Sequence, residues 1–132
     1  MDCSDNHPPS KVPIAVSIQS EREPVDCDGY FTALDSGFVL EFGTPSGRYE
    51  ITHEANKTRL VSTGLLSYAM DFSDGGATEV AAPFGGINFS LTPLKRVVDV
   101  NADGVKIELC YKLVGAGAET LRAVNVNARF LR

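Results

Sequence analysis

The side chains of this 132-residue chain that could carry chemistry are few, and their spacing matches no familiar catalytic or metal motif. The histidines are His7 and His53, and the cysteines are Cys3, Cys27 and Cys110. They form none of the HxH, HExxH or CxxC patterns that zinc and redox sites use. An odd cysteine count outside such a pattern is typical of free thiols in a reducing compartment. We therefore expect no catalytic residue, no metal site and no cofactor.

The residues Asp99, Asn101 and Asp103 are spaced two apart, as the first oxygen ligands of a calcium loop are. Such a loop ends with a glutamate at its twelfth position, where this chain has Cys110. The spacing therefore predicts a turn that ends at Gly104 and not a cation site.

Four side chains are candidates for contact with a ligand, because each shares the apolar face of a predicted strand: Tyr49, His53, Tyr68 and Tyr111. A tyrosine has an apolar ring and a hydroxyl that needs a partner. It can therefore serve as a polar handle in a cavity, or bond to the backbone within a packed core. His53 stands beside Glu54 near a strand end, where it could be an exposed or capping residue, or act with a carboxylate in catalysis.

The elements that must position these side chains are strands, because apolar and polar residues alternate through most of the chain. In the C-terminal half the alternating apolar residues are Ile87, Phe89, Leu91, Val98, Val100, Val105, Ile107, Leu109, Tyr111, Leu113, Val124, Val126 and Phe130. Further strands are predicted at 12–18, 30–34, 38–42, 49–53, 58–63, 66–72 and 78–82. Residues 21–28 are interpreted as a turn, as are the breaker clusters 35–37, 43–47, 73–76, 101–104 and 115–117.

Short strands at about ten-residue spacing indicate an all-β domain, either a barrel or a sandwich. Sequential hairpins favour an antiparallel up-and-down order, and closure into a barrel removes the exposed edges of such a sheet. We predict a barrel of about 8–10 strands that forms a single domain over residues 11–132. The polar residues 1–10 are predicted to be a disordered tail.

The charge of the chain argues against a nucleic-acid partner. Its net charge is −5, from 12 basic and 17 acidic residues, and no basic run interleaves with aromatic residues. Lys95 and Arg96 are interpreted as a solvated strand end. The N-terminus lacks the apolar core of a signal peptide and no segment is long enough to span a membrane, so we expect a cytoplasmic protein without a membrane partner.

Several segments resemble the YwiB-like family of uncharacterised bacterial proteins: Ala82–Gly85, Ile87–Thr92, Gly104–Leu113 and Asn125–Phe130. Residues 47–52 and 62–64 fit the middle of the family pattern more loosely, and Ala82 departs from the threonine expected before Pro83. The resemblance implies a calycin-like, lipocalin-like β-barrel over residues 12–131. It brings no catalytic motif, because the family has no assigned activity.

The predicted inward side chains would either fill the barrel or line a cavity for one small ligand. They are Ile14, Val16, Phe38, Leu40, Tyr49, Ile51, Tyr68, Met70, Phe89, Leu109, Tyr111 and Val126. The first hypothesis is a binding module for a small, largely apolar ligand. The second is a structural or interaction protein that forms a homodimer through its outer face, prompted by Val39, Val61 and Val97 on that face. The third is an enzyme that uses His53.

Overall fold

Ten strands make up the regular structure of the protein, in a computed structural model that describes residues 11–20, 23–83, 85–115 and 117–131. They are β1 (Lys11–Gln19), β2 (Val25–Leu34), β3 (Gly37–Thr44), β4 (Gly47–Glu54), β5 (Lys57–Gly64), β6 (Tyr68–Asp71), β7 (Gly76–Ala82), β8 (Gly85–Val100), β9 (Gly104–Gly115) and β10 (Ala118–Phe130). No helix occurs in these residues.

All ten strands belong to one antiparallel sheet, in the order β6-β5-β4-β3-β2-β1-β10-β9-β8-β7. Each strand pairs with its neighbours in sequence, except that β6 and β7 stand at the two ends of this order. Strand β1 also pairs with β10, from Ile14 opposite Phe130 to Gln19 opposite Asn125. The result is a nearly closed up-and-down barrel, consistent with a calycin-like fold, so the predicted fold class is confirmed. The predicted tail at 1–10 lies outside the described residues.

The barrel has one weak seam, between β6 and β7. Among the described residues, one backbone bridge joins the two segments, in which the N–H groups of Ser67 and Ala81 each donate to the other residue's carbonyl at 2.9 Å. The predicted turn at 73–76 connects these strands, and the carboxylate of Asp71 accepts hydrogen bonds from the N–H groups of Ser73 and Asp74. Gly75 has a φ of 75° in this turn, a conformation that favours glycine.

The alternating apolar residues fill the middle of the barrel. The buried hydrophobic residues are Ile14, Val16, Phe38, Leu40, Phe42, Ile51, Leu60, Met70, Phe72, Leu91, Val105, Ile107, Leu109, Tyr111, Val124, Val126 and Ala128. The ring of Phe72 packs edge-on against that of Tyr111 at 5.1 Å, and Phe31 packs against Phe38 at 5.5 Å and Phe130 at 5.1 Å. Each large side chain buried in this way contributes about 1.5–3 kcal/mol, which makes this packing the main source of stability.

Three of the twelve predicted inward residues, Tyr49, Tyr68 and Phe89, are only half-buried. Their strands place all three toward the same end of the barrel. The packed core therefore fills the middle of the barrel and thins toward that end.

Strand β2 begins at Val25, so the predicted turn over 21–28 was wrong for residues 25–28, and so was the predicted strand start at Tyr30. Residues 21 and 22 of that turn lie outside the described residues. Val25, Cys27 and Gly29 lie opposite Ile18, Val16 and Ile14 on the inward face. Inward and outward residues do alternate along this part of β2, but the outward residues Asp26 and Asp28 and the inward Gly29 make the pattern hard to recognise in the sequence. Gly29 is buried, and its position requires glycine because a Cβ there would lie 2.1 Å from the carbonyl oxygen of Glu41.

Candidate functional site

The two ends of the barrel differ in construction. Because the strands run up and down, the connections after β1, β3, β5, β7 and β9 lie at one end, and those after β2, β4, β6 and β8 lie at the other. At the first end a hollow opens to solvent. At the second end a cluster of hydrogen-bonded polar side chains lies across the core.

The four predicted ligand-contact residues are distributed along the barrel and do not form one site. Tyr49 and Tyr68 lie toward the first end, and His53 lies at the second. Tyr111 lies in the core, where its ring contacts that of Phe72. Tyr49 and His53 share a face of β4 but are four residues apart, which is about 13 Å along a strand.

The two tyrosines at the first end belong to one row of inward residues. Tyr49 lies opposite Ser62, and Ser62 lies opposite Tyr68, across β4, β5 and β6. Burial raises the pKa of Tyr68 and the nearby Tyr49 adds to the rise, whereas a hydrogen bond with Ser62 opposes it. The hydroxyl of Ser62 also donates to the carbonyl of Leu66 at 3.1 Å. The Tyr68 hydroxyl therefore stays protonated at neutral pH and can act as a hydrogen-bond donor.

The hollow at the first end is named the mouth, and its volume is about 520 Å³. Its lining residues are Ile18, Ser20, Glu23, Val25, Thr44, Pro45, Ser46, Tyr49 and Arg122. Beneath it the ring of Tyr49 stacks on the buried ring of Phe42 at 5.6 Å, so the mouth has an aromatic floor. Ile18 and Val25 lie opposite each other on β1 and β2 and form an apolar side.

The polar cluster at the second end is named the plug, and it consists of His53, Thr58, Ser73 and Arg96. The guanidinium of Arg96 donates through Nη1 to the carbonyl of Asn56 at 2.9 Å, to Ser73 Oγ at 2.8 Å and to Thr58 Oγ1 at 3.3 Å. The N–H of Thr58 donates to Ser73 Oγ at 2.8 Å. The plug therefore ties β8 to the β4–β5 hairpin and to the β6–β7 turn.

Arg96 faces inward because β8 contains a bulge. Pro93 pairs with Tyr111 and Lys95 pairs with Cys110, so Leu94 is an extra residue without a partner. An extra residue reverses the alternation of the strand beyond it. The interpretation of Lys95 and Arg96 as one solvated strand end was therefore right for Lys95, which pairs with Glu108 at 3.4 Å, and wrong for Arg96.

The surroundings of His53 define what its ring can do. Its Nδ1 lies 2.8 Å from Thr58 Oγ1, and its ring packs against Phe38 at 5.5 Å. Burial lowers the pKa of His53, and the charge of Arg96 lowers it further. The imidazole is therefore neutral at pH 7. Among the described residues, the neighbours of its ring are the Thr58 hydroxyl, the Phe38 ring and the Arg96 cation, and they do not include the carboxylate that the enzyme hypothesis requires.

A second hollow lies on the outer face, with a volume of about 790 Å³, and crosses β2, β1, β10, β9 and the β8–β9 turn. An in-register polar row crosses it, from Asp26 through Ser17, Asn127 and Lys106 to Asp99. The side chain of Asn101 accepts hydrogen bonds from the N–H groups of Asp103 and Gly104 at 2.8 and 3.2 Å, so the predicted turn is confirmed. Within the described residues, no group of three or more acidic, histidine or cysteine side chains is arranged to hold a metal ion.

Cys27 and Cys110 are free cysteines. Burial raises the pKa of the Cys27 thiol, and the charges of Asp28 and Asp26 add to the rise. This thiol is therefore protonated at neutral pH and is a weak nucleophile. Cys3 lies outside the described residues.

The fold has a counterpart among solved structures. The chain is similar to the crystal structure of the ywiB protein from Bacillus subtilis, with a TM-score of 0.76 over 99% of this chain and 100% of that chain. The sequence identity is 10%, so the likeness shows a shared fold and no shared activity. No protein-family model and no curated protein matches the chain. The all-β barrel that the sequence resemblance implies is thus confirmed.

Two arginines at opposite ends of the barrel were not predicted from sequence. Arg122 was missed because a charged residue is not expected on the inward face of a strand, although Arg122 has the same parity as Val124. Arg96 was missed because the bulge at Leu94 lies between it and the preceding apolar residues. One signal was present: the apolar residues of β8 change from odd numbers at Leu91 to even numbers at Val98, which requires one inserted residue. Separately, the described part of the chain contains no helix with the length and apolar character needed to cross a membrane.

Proposed function

We propose that this protein is a binding module for a small, largely apolar ligand held in the mouth. The observation that carries this proposal is an open hollow of about 520 Å³ on the inward face of the barrel. Its volume falls in the range of about 300–1,000 Å³ that small-molecule sites occupy. Such sites combine apolar walls with a few polar groups, and the mouth has both kinds of lining.

The exposure of the apolar lining supports this role. Val25 retains 41% of its exposed surface although it lies on the inward face of the barrel. Tyr49 is half-buried, and no hydrogen bond to its hydroxyl occurs among the described residues. A ligand that covered this surface would gain about 2.5 kcal/mol for each 100 Å² of apolar area removed from water.

The ligand is placed at the mouth because the middle of the barrel is occupied by side chains. Tyr111 and Phe72 fill that region, and the plug covers the opposite end. Of the four candidate residues, Tyr49 forms the floor of the mouth and Tyr68 lies two strands along the same row. We therefore assign ligand contact to Tyr49, with Tyr68 as a second donor, and assign packing roles to His53 and Tyr111.

A neutral apolar dye, Nile red, tests this function. We expect saturable binding with a rise in dye fluorescence, and a loss of affinity of about tenfold or more in Tyr49→Ala, because the aromatic floor is removed. Tyr30→Ala is the matched control, since Tyr30 lies on the outer face and is 49% exposed. The absence of saturable binding, or an equal loss in both variants, would contradict the proposal.

A second candidate function is self-association through the outer face. Of the three predicted residues, Val39 lies on β3, Val61 on β5 and Val97 on β8. Strands β3 and β8 are five strands apart in a ten-strand barrel, so Val39 and Val97 lie on opposite sides. The observation that favours a dimer is different: Leu94, Val97, Val114 and Leu121 are four exposed apolar residues on the adjacent strands β8, β9 and β10. Exposed apolar surface concentrated on one side of a protein is a feature of protein interfaces.

Light scattering coupled to gel filtration at tens of micromolar protein distinguishes the two states. A dimer that Leu121→Lys converts to a monomer, and that Leu65→Lys leaves intact, supports this second function. Leu65 is an equally exposed leucine, located between β5 and β6. A strict monomer would remove the hypothesis.

A further inference from the structure

We infer that the ligand of the mouth carries an anionic head group, a carboxylate or a phosphate, and that Arg122 binds it. This inference rests on the proposed binding function and names the class of ligand. An apolar ligand alone would need no charged partner. Among the described residues that line the mouth, Arg122 is the one cation, and it lies on β10.

The position of Arg122 follows from strand geometry. On β10 the inward residues are Val124, Val126 and Ala128, all buried. Arg122 has the same parity and pairs with the inward-facing Tyr111 on β9. It lies two residues beyond Val124, or about 7 Å along the strand toward the mouth. The guanidinium group thus stands at the boundary between the packed core and the solvent in the mouth.

The chemistry of the guanidinium group selects oxyanions. It offers five N–H donors in a planar fork, so it can bind a carboxylate or phosphate with two parallel hydrogen bonds while it retains other contacts. These charge-assisted bonds are stronger than those of neutral donors. Arg122 also lies beside the apolar side formed by Ile18 and Val25. An apolar chain and an anionic head would therefore find their partners within one hollow.

The other polar groups of the mouth are less suited to choose the head group. Thr44 and Ser46 bond to each other through their hydroxyls at 3.0 Å, and the N–H of Ser46 donates to Thr44 Oγ1 at 3.3 Å. Glu23 is the one carboxylate among the described lining residues, and it belongs to the connection between β1 and β2, not to a strand. Arg122 is therefore held by the sheet, whereas Glu23, which would favour a cationic ligand, is not.

The net charge of the chain makes this contact decisive. At −5 the protein repels anions at long range, so no general field attracts the ligand. A preference for an anionic head must come from the local contact with Arg122. The preference should weaken as salt rises, because the guanidinium group lies at the solvent boundary.

Ten-carbon ligands that differ only in the head group test the inference by displacement of Nile red: decanol, decanoate, decyl phosphate and decylamine. We expect wild-type protein to bind decanoate or decyl phosphate about tenfold tighter than decanol, and the better of the two anions identifies the head group. In Arg122→Gln this preference should disappear while the affinity for decanol is kept. Arg129→Gln is the matched control, because Arg129 lies on the same strand with the opposite parity and faces outward.

The outcomes separate the inference from the function on which it rests. If decanol binds and the anions bind no tighter, or if their preference survives in Arg122→Gln, the head-group assignment is overturned and the apolar site stands. Preferential binding of decylamine would also overturn the assignment, and would indicate that Glu23 binds a cationic head group. If none of the four compounds binds, the proposed function itself falls.

Discussion

The two ends of the barrel differ in how they cover their inward side chains. At the plug, Thr58 is 1% exposed and four polar side chains satisfy one another across three separate parts of the chain. At the mouth, Val25 faces inward and is still 41% exposed. A fold gains nothing in stability from apolar surface that nothing covers. This difference is the reason why we propose the binding site at the mouth.

The largest expected effect is the contrast between an aromatic residue near the plug and one at the mouth. Phe72→Ala should cost about 3–5 kcal/mol, because Phe72 is 2% exposed and its removal leaves a cavity against Tyr111. Tyr49→Ala should cost less, about 1–2 kcal/mol, since water can reach the vacated space. Urea unfolding of both variants measures this. If Phe72→Ala does not fold, Phe72→Leu replaces it and should still lose more stability than Tyr49→Leu. Equal losses of unfolding free energy at the two positions would contradict the contrast.

The hydrogen bonds of Arg96 give the next effect. Arg96→Met keeps an unbranched apolar stem and removes the donors to Asn56 and Ser73, so the unfolding free energy should fall by about 2 kcal/mol. Lys95→Met, the neighbouring change, removes one exposed ion pair and should cost less than about 1 kcal/mol. Urea midpoints with equal slopes compare the two. A larger loss in Lys95→Met would show that the plug does not depend on Arg96.

His53 makes the plug sensitive to pH. Its pKa is lowered by burial and by Arg96. Below about pH 6.5 the His53 ring therefore binds a proton more readily in the unfolded chain than in the folded protein. Stability should therefore fall as pH falls below that value, and His53→Gln should lose less between pH 7.5 and 5.5. The Asp71 carboxylate, whose pKa is lowered by hydrogen bonds, acts only below about pH 4 and is common to both proteins. Parallel pH profiles would contradict this role.

The smallest effect on stability is expected at the rim of the mouth. Val25→Thr keeps the shape of the side chain and replaces one methyl with a hydroxyl at a position that water already reaches. Unfolding free energy should change by no more than about 0.5 kcal/mol. Nile red affinity should nevertheless decrease, because the apolar side of the mouth becomes polar. A loss of stability without any change in dye binding would mean that Val25 serves the core and not the mouth.

Strand order and inward faces could be predicted because they follow from local alternation. Strand β9 shows this best: Val105, Ile107, Leu109 and Tyr111 alternate in sequence and are all buried. The candidate site could not be assembled in the same way. Tyr49 and His53 share a face, but a shared face extends along the whole barrel and does not define a site. The hydrogen bond from Arg96 to Thr58 joins residues 38 positions apart through a bulge, and no local pattern specifies it.

The pairing of the first strand with the last has a consequence for the way the barrel is made. Strand β1 can align with β2 as soon as that hairpin has been synthesised, but its other edge finds β10 only after residues 125–130 have emerged from the ribosome. Until then Ile14 and Val16 have no complete core to enter. Contacts that are distant in sequence form slowly, so folding should be limited by this last closure. During that interval a nascent chain presents an open sheet edge, and chaperones would be expected to engage it there.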